Sequence, residues 1–332
     1  MKKLALILLF FLAVATGFFI VHARFTSLRP FDFTQGFGRQ AKPLPLLKYT
    51  FENLKNTKFS PSPITLGEKV TEISQKFYFD IPEKVSGLIN FPDEPGTYPV
   101  IVMFRGYIPK ETYQPGAGSQ PSAKVLAANG FITLAPDFLG YAESTSPSAT
   151  PFEERFQTTT TALTLLASLE NLNSALPAQI KADLSKVGIW GHSNGGSIAL
   201  SVLAISGGSY PTVLWAPVSK SFPYSILAYT DETDDQGKYL RRALADFEKD
   251  YNTEDFSPPK YFSWIKAPLL INQGLNDQEV PYWWSDELVK NLKSYGLEVK
   301  YLKYPGADHN FLPSGWNQAI TNTVAFFKDK FR

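Results

Sequence analysis

Short apolar runs recur along the chain from about residue 70, and segments with helical spacing separate most of them. The runs predict eight β-strands, at 70–81, 83–91, 99–104, 131–136, 186–191, 212–217, 267–272 and 298–304. Helical spacing predicts helices at 122–129, 152–174, 197–205 and 282–295. This alternation is typical of an α/β protein with a mostly parallel, doubly wound sheet and helices on both faces. We expect the first two strands to form an antiparallel edge of that sheet.

An insertion at about 219–266 interrupts the alternation of strands and helices. It contains one segment with helical spacing, GKYLRRALADFEKDY at 237–251, between stretches without periodicity. An insertion that follows a parallel strand lies at the carboxyl edge of the sheet, where such folds bind ligands. We interpret it as a small lid over a ligand site, and an ordinary surface excursion is the alternative.

The first residues of the chain form a hydrophobic segment. Lys2 and Lys3 precede an apolar run at 4–23, which as a helix is about 30 Å long, close to the thickness of a bilayer core. We interpret residues 1–23 as a membrane anchor, with the rest of the chain outside the cytoplasm. A cleaved signal segment is the alternative, because residues 21–23 (VHA) suit a cleavage site, and the protein would then be secreted.

The rest of the chain divides into two parts by composition. Residues 24–66 are rich in proline, phenylalanine, threonine and lysine and have no clear periodicity. We interpret them as a stalk and a strip that lies along the main domain. The main domain is then residues 67–332, with the insertion inside it.

The composition excludes several classes of function. A net charge of +1 without basic clusters gives no electrostatic reason to expect nucleic acid as a partner. The chain has no cysteine, which excludes disulfides, iron–sulfur clusters and cysteine–zinc sites. Its three histidines, His22, His192 and His309, lack metalloprotease spacing. We therefore expect no metal, no cofactor and no nucleic acid.

One serine stands among glycines where a predicted strand meets a predicted helix. The sequence is VGIWGHSNGGSIAL at 187–200, with Ser193 two residues from Gly191 and from Gly195. Glycines at these positions give the backbone the freedom that a tight strand-to-helix turn requires, and the turn exposes the serine. Gly-x-Ser-x-Gly also occurs by chance, but this position between a buried strand and a small-residue helix favours a nucleophile.

A serine hydroxyl needs a base to take its proton as it attacks, and histidine is the usual base. His22 lies in the hydrophobic segment, and His192 points differently on the turn and does not easily reach Ser193. This leaves His309, in the loop KYPGADHNFLP that follows the last predicted strand.

The imidazole in turn needs a carboxylate to hold its tautomer. Asp277, in the loop GLNDQEVP after a predicted strand, is the best candidate, because that loop lies at the same edge of the sheet as the serine. Asp308 is too close in sequence to fold back onto the histidine, and Glu279 and Asp286 are weaker candidates. The chain order serine, aspartate, histidine is that of α/β-hydrolases and differs from the orders in chymotrypsin and subtilisin.

Attack by the serine creates an oxyanion, which needs preorganised backbone donors. The N–H of Asn194, directly after the serine, is one candidate. The loop RGYIP after the strand at 99–104 supplies the second, the N–H of Tyr107.

With these motifs in this order along its sequence, the chain resembles the α/β-hydrolase superfamily. Within that superfamily it is most similar to the catalytic domain of the prolyl oligopeptidase family, and next to dienelactone-hydrolase-like esterases. The resemblance covers roughly 70–332 and is carried by YPVIVMFRGYIP, APDFLGYAES, GHSNGG, GLNDQEVP and GADHNF. It implies an α/β-hydrolase fold with a catalytic domain at 67–332. It further implies a serine hydrolase that cleaves small esters or short peptides through an acyl-enzyme on Ser193, Asp277 and His309.

Two features depart from that family. Arg105 stands where such proteins usually have histidine or an aromatic residue before the oxyanion glycine. It could pair with Asp137 or bind a substrate carboxylate. The stretch at 24–98 is shorter than two propeller blades of roughly 40 to 45 residues each, so the propeller of the large oligopeptidases is missing.

Aromatic residues at the ends of the predicted strands and in the loops that follow are candidates for the substrate pocket, although such residues pack in cores as often. They are Phe138, Tyr141, Trp215, Trp283 and Trp284. Two other functions stay open: an acyltransferase that uses the same three residues, and a non-catalytic binding protein on the same fold.

Overall fold

The computed structural model describes residues 42–230 and 233–332, and it places nine strands of this region in one sheet. The strands are β1 (Thr65–Lys69), β2 (Ser74–Asp80), β3 (Lys84–Asn90), β4 (Gly96–Phe104), β5 (Ile132–Pro136), β6 (Ile180–His192), β7 (Thr212–Trp215), β8 (Leu269–Gly274) and β9 (Val299–Tyr304). Their order across the sheet is β1-β2-β3-β5-β4-β6-β7-β8-β9.

The sheet has a parallel part and an antiparallel edge. The six strands β5-β4-β6-β7-β8-β9 are neighbours in this order, and each pairs in parallel with the next. At the other edge, β1 pairs with β2, β2 with β3 and β3 with β5, and all three pairings are antiparallel. The expected mostly parallel sheet is confirmed. The edge has three strands rather than two, because the run predicted as one strand at 70–81 turns at 70–73 and pairs β2 with a preceding β1.

Helices surround this sheet. The α-helices are α1 (Phe51–Asn56), α2 (Gln120–Ala128), α3 (Pro151–Ser168), α4 (Leu172–Ala175), α5 (Asn194–Ser206), α6 (Tyr224–Leu227), α7 (Lys238–Phe247), α8 (Tyr282–Ser294) and α9 (Trp316–Lys330). The four helices predicted at 122–129, 152–174, 197–205 and 282–295 correspond to α2, α3, α5 and α8. The α3 helix ends at Ser168, earlier than predicted, and α9 was not predicted.

Both faces of the sheet are buried, which explains why its central strands are continuous apolar runs. Along β4, Val100 and Val102 pack into one core cluster with α3 and α5, whereas Ile101 and Met103 pack into a second cluster with α2 and α9. The strand alternates between two cores, so every position in this run is apolar.

The compact unit begins before residue 67, the boundary expected from the sequence, since Pro45–Arg332 form one unit. In α1, which lies in the stretch predicted as a stalk and strip, Phe51 is 3% exposed and stacks on Tyr261 with ring centroids 4.8 Å apart. The segment predicted as an anchor or signal, residues 1–23, lies outside the described residues. Within 42–230 and 233–332, no helix has both the length and the apolar character needed to cross a membrane.

The insertion at 219–266 packs on α3 through aromatic side chains. Its described residues include α6, α7 and the 3₁₀ segments Thr253–Phe256 and Pro258–Trp264. One buried cluster joins the insertion to Tyr49 and to the start of α3, and its aromatic members are Tyr49, Phe152, Phe156, Phe222, Phe247 and Phe256. The insertion is therefore anchored to the rest of the unit by a small hydrophobic core that it shares with Tyr49 and α3.

Candidate active site

Ser193 sits at the turn between β6 and α5, in a backbone conformation that L-residues rarely adopt. Its φ is 55° and its ψ is −122°, and it is the N-cap residue of α5. The turn is held by three backbone hydrogen bonds. The N–H of Ser193 donates to the carbonyl of Trp215 at 2.9 Å, and its own carbonyl accepts from Gly196 and Val218, each at 2.9 Å. Strain of this kind persists only where the surroundings impose it, and it is common at functional sites.

The glycines around Ser193 are required for space rather than for unusual torsions. A Cβ on Gly191 would lie 2.6 Å from the carbonyl oxygen of Gly195, and a Cβ on Gly195 would collide with the carbonyl of Phe104. The residue with the positive φ is Ser193 itself. The prediction that these glycines supply the backbone freedom that the turn requires is therefore wrong. The glycines are needed because a side chain there would prevent α5 from packing closely against β4 and β6.

Asp277 and His309 meet at the same edge of the sheet, as the sequence predicted. His309 Nδ1 lies 2.8 Å from Asp277 Oδ2, and the side chain of Asp277 is fully buried while that of His309 is 15% exposed. With Nδ1 bonded to the carboxylate, Nε2 is the ring nitrogen left to accept a proton. Glu279 is exposed, and Asp286 bonds to Tyr301 and Lys303 instead.

Asp277 is held by four donors. Its Oδ1 accepts the N–H groups of Glu279 at 2.9 Å and Val280 at 2.8 Å, and its Oδ2 accepts from Gln273 Nε2 at 3.1 Å as well as from His309. Gln273 is fully buried in β8, and Ser285 donates to its Oε1 at 2.7 Å. Sequence reasoning missed Gln273. Two adjacent amides, Asn272 and Gln273, in the buried run LLINQG were the available signal.

His192 packs against His309 instead of against the serine hydroxyl. The two rings are 4.7 Å apart, and His192 Nε2 lies 3.0 Å from the backbone carbonyl of His309. Burial, with a smaller effect from His309, lowers the pKa of His192 to about 4. The ring is therefore neutral at ordinary pH, and its Nε2–H donates to the His309 carbonyl. His192 is a positioning residue for the loop that carries His309.

Two backbone N–H groups beside Ser193 are unbonded. Neither Tyr107 N–H nor Asn194 N–H donates to any of the residues that the structure describes. The loop of Tyr107 passes directly over the serine, since a Cβ on Gly106 would lie 2.9 Å from Ser193 Cβ. The arrangement fits the expected pair of oxyanion donors, whose role stays a prediction.

The hydroxyl of Ser193 makes no hydrogen bond to another described residue. The structure thus brings Ser193, Asp277 and His309 to one edge of the sheet, with the histidine–aspartate bond formed and the serine–histidine bond open. In unliganded enzymes such bonds are often loose and tighten only around the substrate.

A cavity of about 450 Å³ opens beside the turn that carries Ser193, between the end of the sheet and the insertion. Its lining includes the neighbouring residues Gly106 and Asn194, whereas the side chains of Ser193, Asp277 and His309 are not part of it. Four of the predicted site residues line it: Tyr107, Phe138, Tyr141 and Asn194. The insertion contributes Phe222, Ser225, Ile226, Leu240, Phe256 and Pro258 to its wall. The cavity is in the size range of small-molecule sites. The insertion is thus part of the wall of this cavity, and movement as a lid stays a prediction.

The three tryptophans predicted for the substrate pocket do not line this cavity. Trp215 is 3% exposed and belongs to the core under α9, where its Nε1 donates to Thr323 at 3.0 Å. Trp284 is 4% exposed and packs with Val218 and Val280. Trp283 is 56% exposed at the start of α8. The structure thus places two of the rings in cores and the third on the surface, outside this cavity, and the substrate-binding role of the three tryptophans stays a prediction.

Arg105 is a buried structural residue. Its Nη1 donates to the carbonyl of Gly106 and its Nη2 to the carbonyl of Asp137, both at 2.9 Å, and it stacks over Tyr141 at 4.0 Å. The Asp137 carboxylate instead accepts from Ser86 and Tyr113, and burial raises its pKa. Arg105 thus contacts the backbone carbonyl of Asp137 rather than its carboxylate. Both Nη atoms of Arg105 donate to backbone carbonyls of the protein.

The described parts of the chain, 42–230 and 233–332, contain no group of three or more acidic or histidine side chains able to hold a metal ion.

Relatives among curated proteins include peptidases and acylamino-acid-releasing enzymes. The chain is 26% identical to the Bacillus subtilis peptidase YtmA over 258 residues, which cover 74% of this chain and 90% of that protein. It is 29% identical to the human acylamino-acid-releasing enzyme over 135 residues, 38% of this chain and 18% of that enzyme. The chain thus spans less than a fifth of the length of the acylamino-acid-releasing enzymes it matches.

Solved structures with a similar fold include enzymes of both kinds. The acetyl xylan esterase of Paenibacillus sp. R4 aligns with a TM-score of 0.57 and 17% identity, covering 83% of this chain and 91% of the esterase. The acylaminoacyl peptidase of Pyrococcus horikoshii aligns with a TM-score of 0.54 and 20% identity, covering 83% of this chain and 42% of the peptidase. The α/β-hydrolase fold expected from the sequence is confirmed.

Residues 119–332, most of the chain, match the prolyl oligopeptidase family of peptidases, S9. The match contains the turn of Ser193 and the loops of Asp277 and His309. The chain therefore belongs to the prolyl oligopeptidase family and is a serine hydrolase.

Proposed function

We propose that this serine hydrolase works through a covalent acyl-enzyme, with Ser193 as nucleophile, His309 as general base and Asp277 as the carboxylate that orients His309. The observation that carries the proposal is the 2.8 Å bond between His309 Nδ1 and the buried Asp277, at the edge of the sheet where the strained Ser193 turn lies. This pairing gives the imidazole the tautomer that a general base requires.

The proposed reaction has two halves. As Ser193 Oγ bonds to the substrate carbonyl carbon, its proton moves to His309 Nε2, and the N–H groups of Tyr107 and Asn194 stabilise the oxyanion. His309 then gives that proton to the leaving group, whose bond to carbon breaks and leaves the acyl-enzyme. Water then attacks the acyl carbon while His309 Nε2 takes its proton, and His309 returns that proton to Ser193 Oγ as the bond between the acyl carbon and Oγ breaks and the acid leaves.

Small esters and short peptides are the proposed substrates. A cavity of about 450 Å³ accommodates a small acyl group or a dipeptide-sized ligand. Relatives named as a peptidase and as an acetyl xylan esterase are compatible with both bond types. The small volume argues against folded proteins as substrates.

Export of the enzyme is part of the proposal and rests on the sequence alone. The apolar run at 4–23 after Lys2 and Lys3 supports a membrane anchor with the catalytic domain outside the cytoplasm, or a cleaved signal followed by secretion. Fractionation of cells that express the full chain distinguishes the two. Activity found only in the cytoplasm would contradict both.

Covalent labelling tests the nucleophile. We expect a fluorophosphonate probe to label the protein at Ser193, because such probes react with serines activated by a neighbouring base and an oxyanion site. Mass spectrometry of the labelled peptide identifies the modified residue. Labelling that persists in Ser193→Ala, or that maps to another serine, would contradict the assignment.

The ratio of ester to amide cleavage tests the substrate class. An amide nitrogen must receive a proton from His309 before it leaves, whereas an activated ester needs little acid help. We expect kcat/KM for a small acyl ester to exceed that of the matched acyl anilide by more than about tenfold. Measured values within about tenfold of each other, a difference of only about 1.4 kcal/mol in barrier, would instead identify the enzyme as a peptidase.

A further inference from the structure

Arg155 lines the same cavity as the proposed oxyanion residues, and no acidic side chain among the described residues balances its charge. It lies in the second turn of α3 and is partly buried. No carboxylate among the residues that the structure describes pairs with it. Its Nη2 makes two long hydrogen bonds, to Asn194 Oδ1 and to Ser225 Oγ, each 3.4 Å, and an electrostatic interaction with Tyr229 partly offsets the effect of burial on its pKa.

The other cations of the cavity are engaged. Lys110 forms an ion pair with Glu154 at 2.8 Å, and both Nη atoms of Arg105 are bonded to main-chain carbonyls. Glu111, the remaining acidic residue of the lining, is exposed. Arg105 is 6% exposed and both of its Nη atoms donate at 2.9 Å, whereas the partly buried Arg155 has only long hydrogen bonds. Among the described cations of the lining, Arg155 is therefore the one that a ligand beside Asn194 can reach.

Keeping this charge in the wall is costly. Burial lowers the pKa of Arg155 to about 10, which leaves the guanidinium charged at neutral pH. A desolvated charge without an opposite partner lowers stability, and a bound anion would offset that cost. In the unliganded protein, Asn194 and Ser225 supply only neutral acceptors at long distance.

We propose that Arg155 binds a carboxylate of the substrate, so that the preferred substrates are esters or amides carrying a carboxylate on the portion held in this cavity. This inference rests on the proposed function of Ser193, because Asn194 joins the two sites: its N–H is a proposed oxyanion donor, and its Oδ1 accepts a hydrogen bond from Arg155. Nε and Nη1 of Arg155 make no hydrogen bond to described residues and are available to a ligand.

A carboxylate fits this site better than a phosphate. One uncompensated guanidinium matches one negative charge, and its planar fork matches the two oxygens of a carboxylate. The neighbouring wall is largely apolar, with Phe138, Phe222 and Phe256, and it offers no second free cation among the described residues for a dianion.

Matched neutral and anionic esters test the inference on the full chain. One pair differs in the acyl group: 4-nitrophenyl hemiglutarate against the 4-nitrophenyl ester of its monoamide. The other differs in the leaving group: 4-carboxyphenyl acetate against 4-carbamoylphenyl acetate. We expect wild-type kcat/KM, corrected for spontaneous hydrolysis, to favour the carboxylate by at least about tenfold in one of the two pairs.

Variants of Arg155 should change that preference and little else. Arg155→Gln should remove the preference while keeping the rate on the neutral ester within a few fold, and Arg155→Lys should retain part of it. The double variant Lys110→Gln with Glu154→Gln removes the neighbouring ion pair without changing net charge and should keep the preference. An equal wild-type rate on both members of both pairs, or an unchanged ratio in Arg155→Gln, would overturn the inference.

The same measurements separate this inference from the proposed function. If wild type cleaves the neutral esters and Ser193→Ala does not, but no carboxylate preference exists, only the role of Arg155 fails. If Ser193→Ala cleaves the esters as fast as wild type, the proposed function fails first. The wild-type ratio needs no variant, so the test stands even if Arg155→Gln does not fold.

Discussion

Replacing Ser193 with alanine should lower kcat/KM for ester cleavage by about 10⁴- to 10⁶-fold. The reason is chemical, because alanine offers no oxygen to form the acyl-enzyme, and direct attack by water must then proceed without covalent catalysis. The fold should survive, since the Ser193 hydroxyl makes no hydrogen bond to another described residue and the turn is held by main-chain bonds. Initial rates on an activated ester, with active sites counted in the wild type by titration, measure the effect.

The matched control is Ser185→Ala on the same strand. Ser185 lies far along β6 from the turn and donates to Asp183 at 2.6 Å on the surface. We expect this variant to keep wild-type activity and to unfold at a similar temperature. A Ser193→Ala enzyme that retains more than about a hundredth of wild-type kcat/KM would show that another nucleophile performs the reaction.

The features that the sequence predicted are those encoded by local pattern. Continuous apolar runs such as 100–104 predicted strands buried on both faces, and the structure divides this run between two cores. The loops of Asp277 and His309 were placed by the rule that parallel strands end at one edge. The pairing at 2.8 Å follows from that topology and from the scarcity of histidines.

Other features depend on contacts that the pattern does not encode. Trp215 and Leu214 are neighbours on β7, and alternation sends them to opposite faces, so the ring of Trp215 enters the core rather than the cavity. Choosing between the faces requires the register of the whole sheet. The roles of Gln273 and Arg155 likewise depend on partners that only the fold brings close. Gln273 donates to Asp277, and Arg155 donates to Asn194.

The terminal helix α9 is a different case, because its signal was present in the sequence. Its buried positions 319, 320, 323, 326 and 327 have helical spacing. Thr323 is one of these positions and is a polar residue type. It is buried nevertheless, because its hydroxyl accepts a hydrogen bond from the indole N–H of Trp215. The helical pattern is therefore present in the sequence, and it is interrupted only where a buried threonine forms a hydrogen bond.

His309→Ala should reduce kcat/KM by about 10⁴- to 10⁶-fold, whereas His192→Phe should reduce it by no more than about 10- to 100-fold. His309 is the proposed base, and its loss leaves Ser193 without a proton acceptor. His192 only donates to the backbone carbonyl of His309 at 3.0 Å, and phenylalanine keeps the ring packing while losing that bond. Steady-state kinetics of both variants on one activated ester, with thermal unfolding as the folding control, measure the difference.

The pH dependence of the same variants identifies the base independently. Wild-type kcat/KM should fall on acidification, because a protonated His309 does not accept the serine proton. The pKa of His192 is lowered from 6.5 to about 4, so this ring is already neutral above about pH 5 and does not cause that fall. Between pH 4 and 6.5 the unfolded chain binds a proton at His192 that the folded chain does not, so the free energy of unfolding declines as pH falls through this window. His192→Phe should therefore flatten the stability profile there and leave the acid limb of kcat/KM in place. A displaced acid limb in this variant, or a loss of activity equal to that of His309→Ala, would make His192 the base.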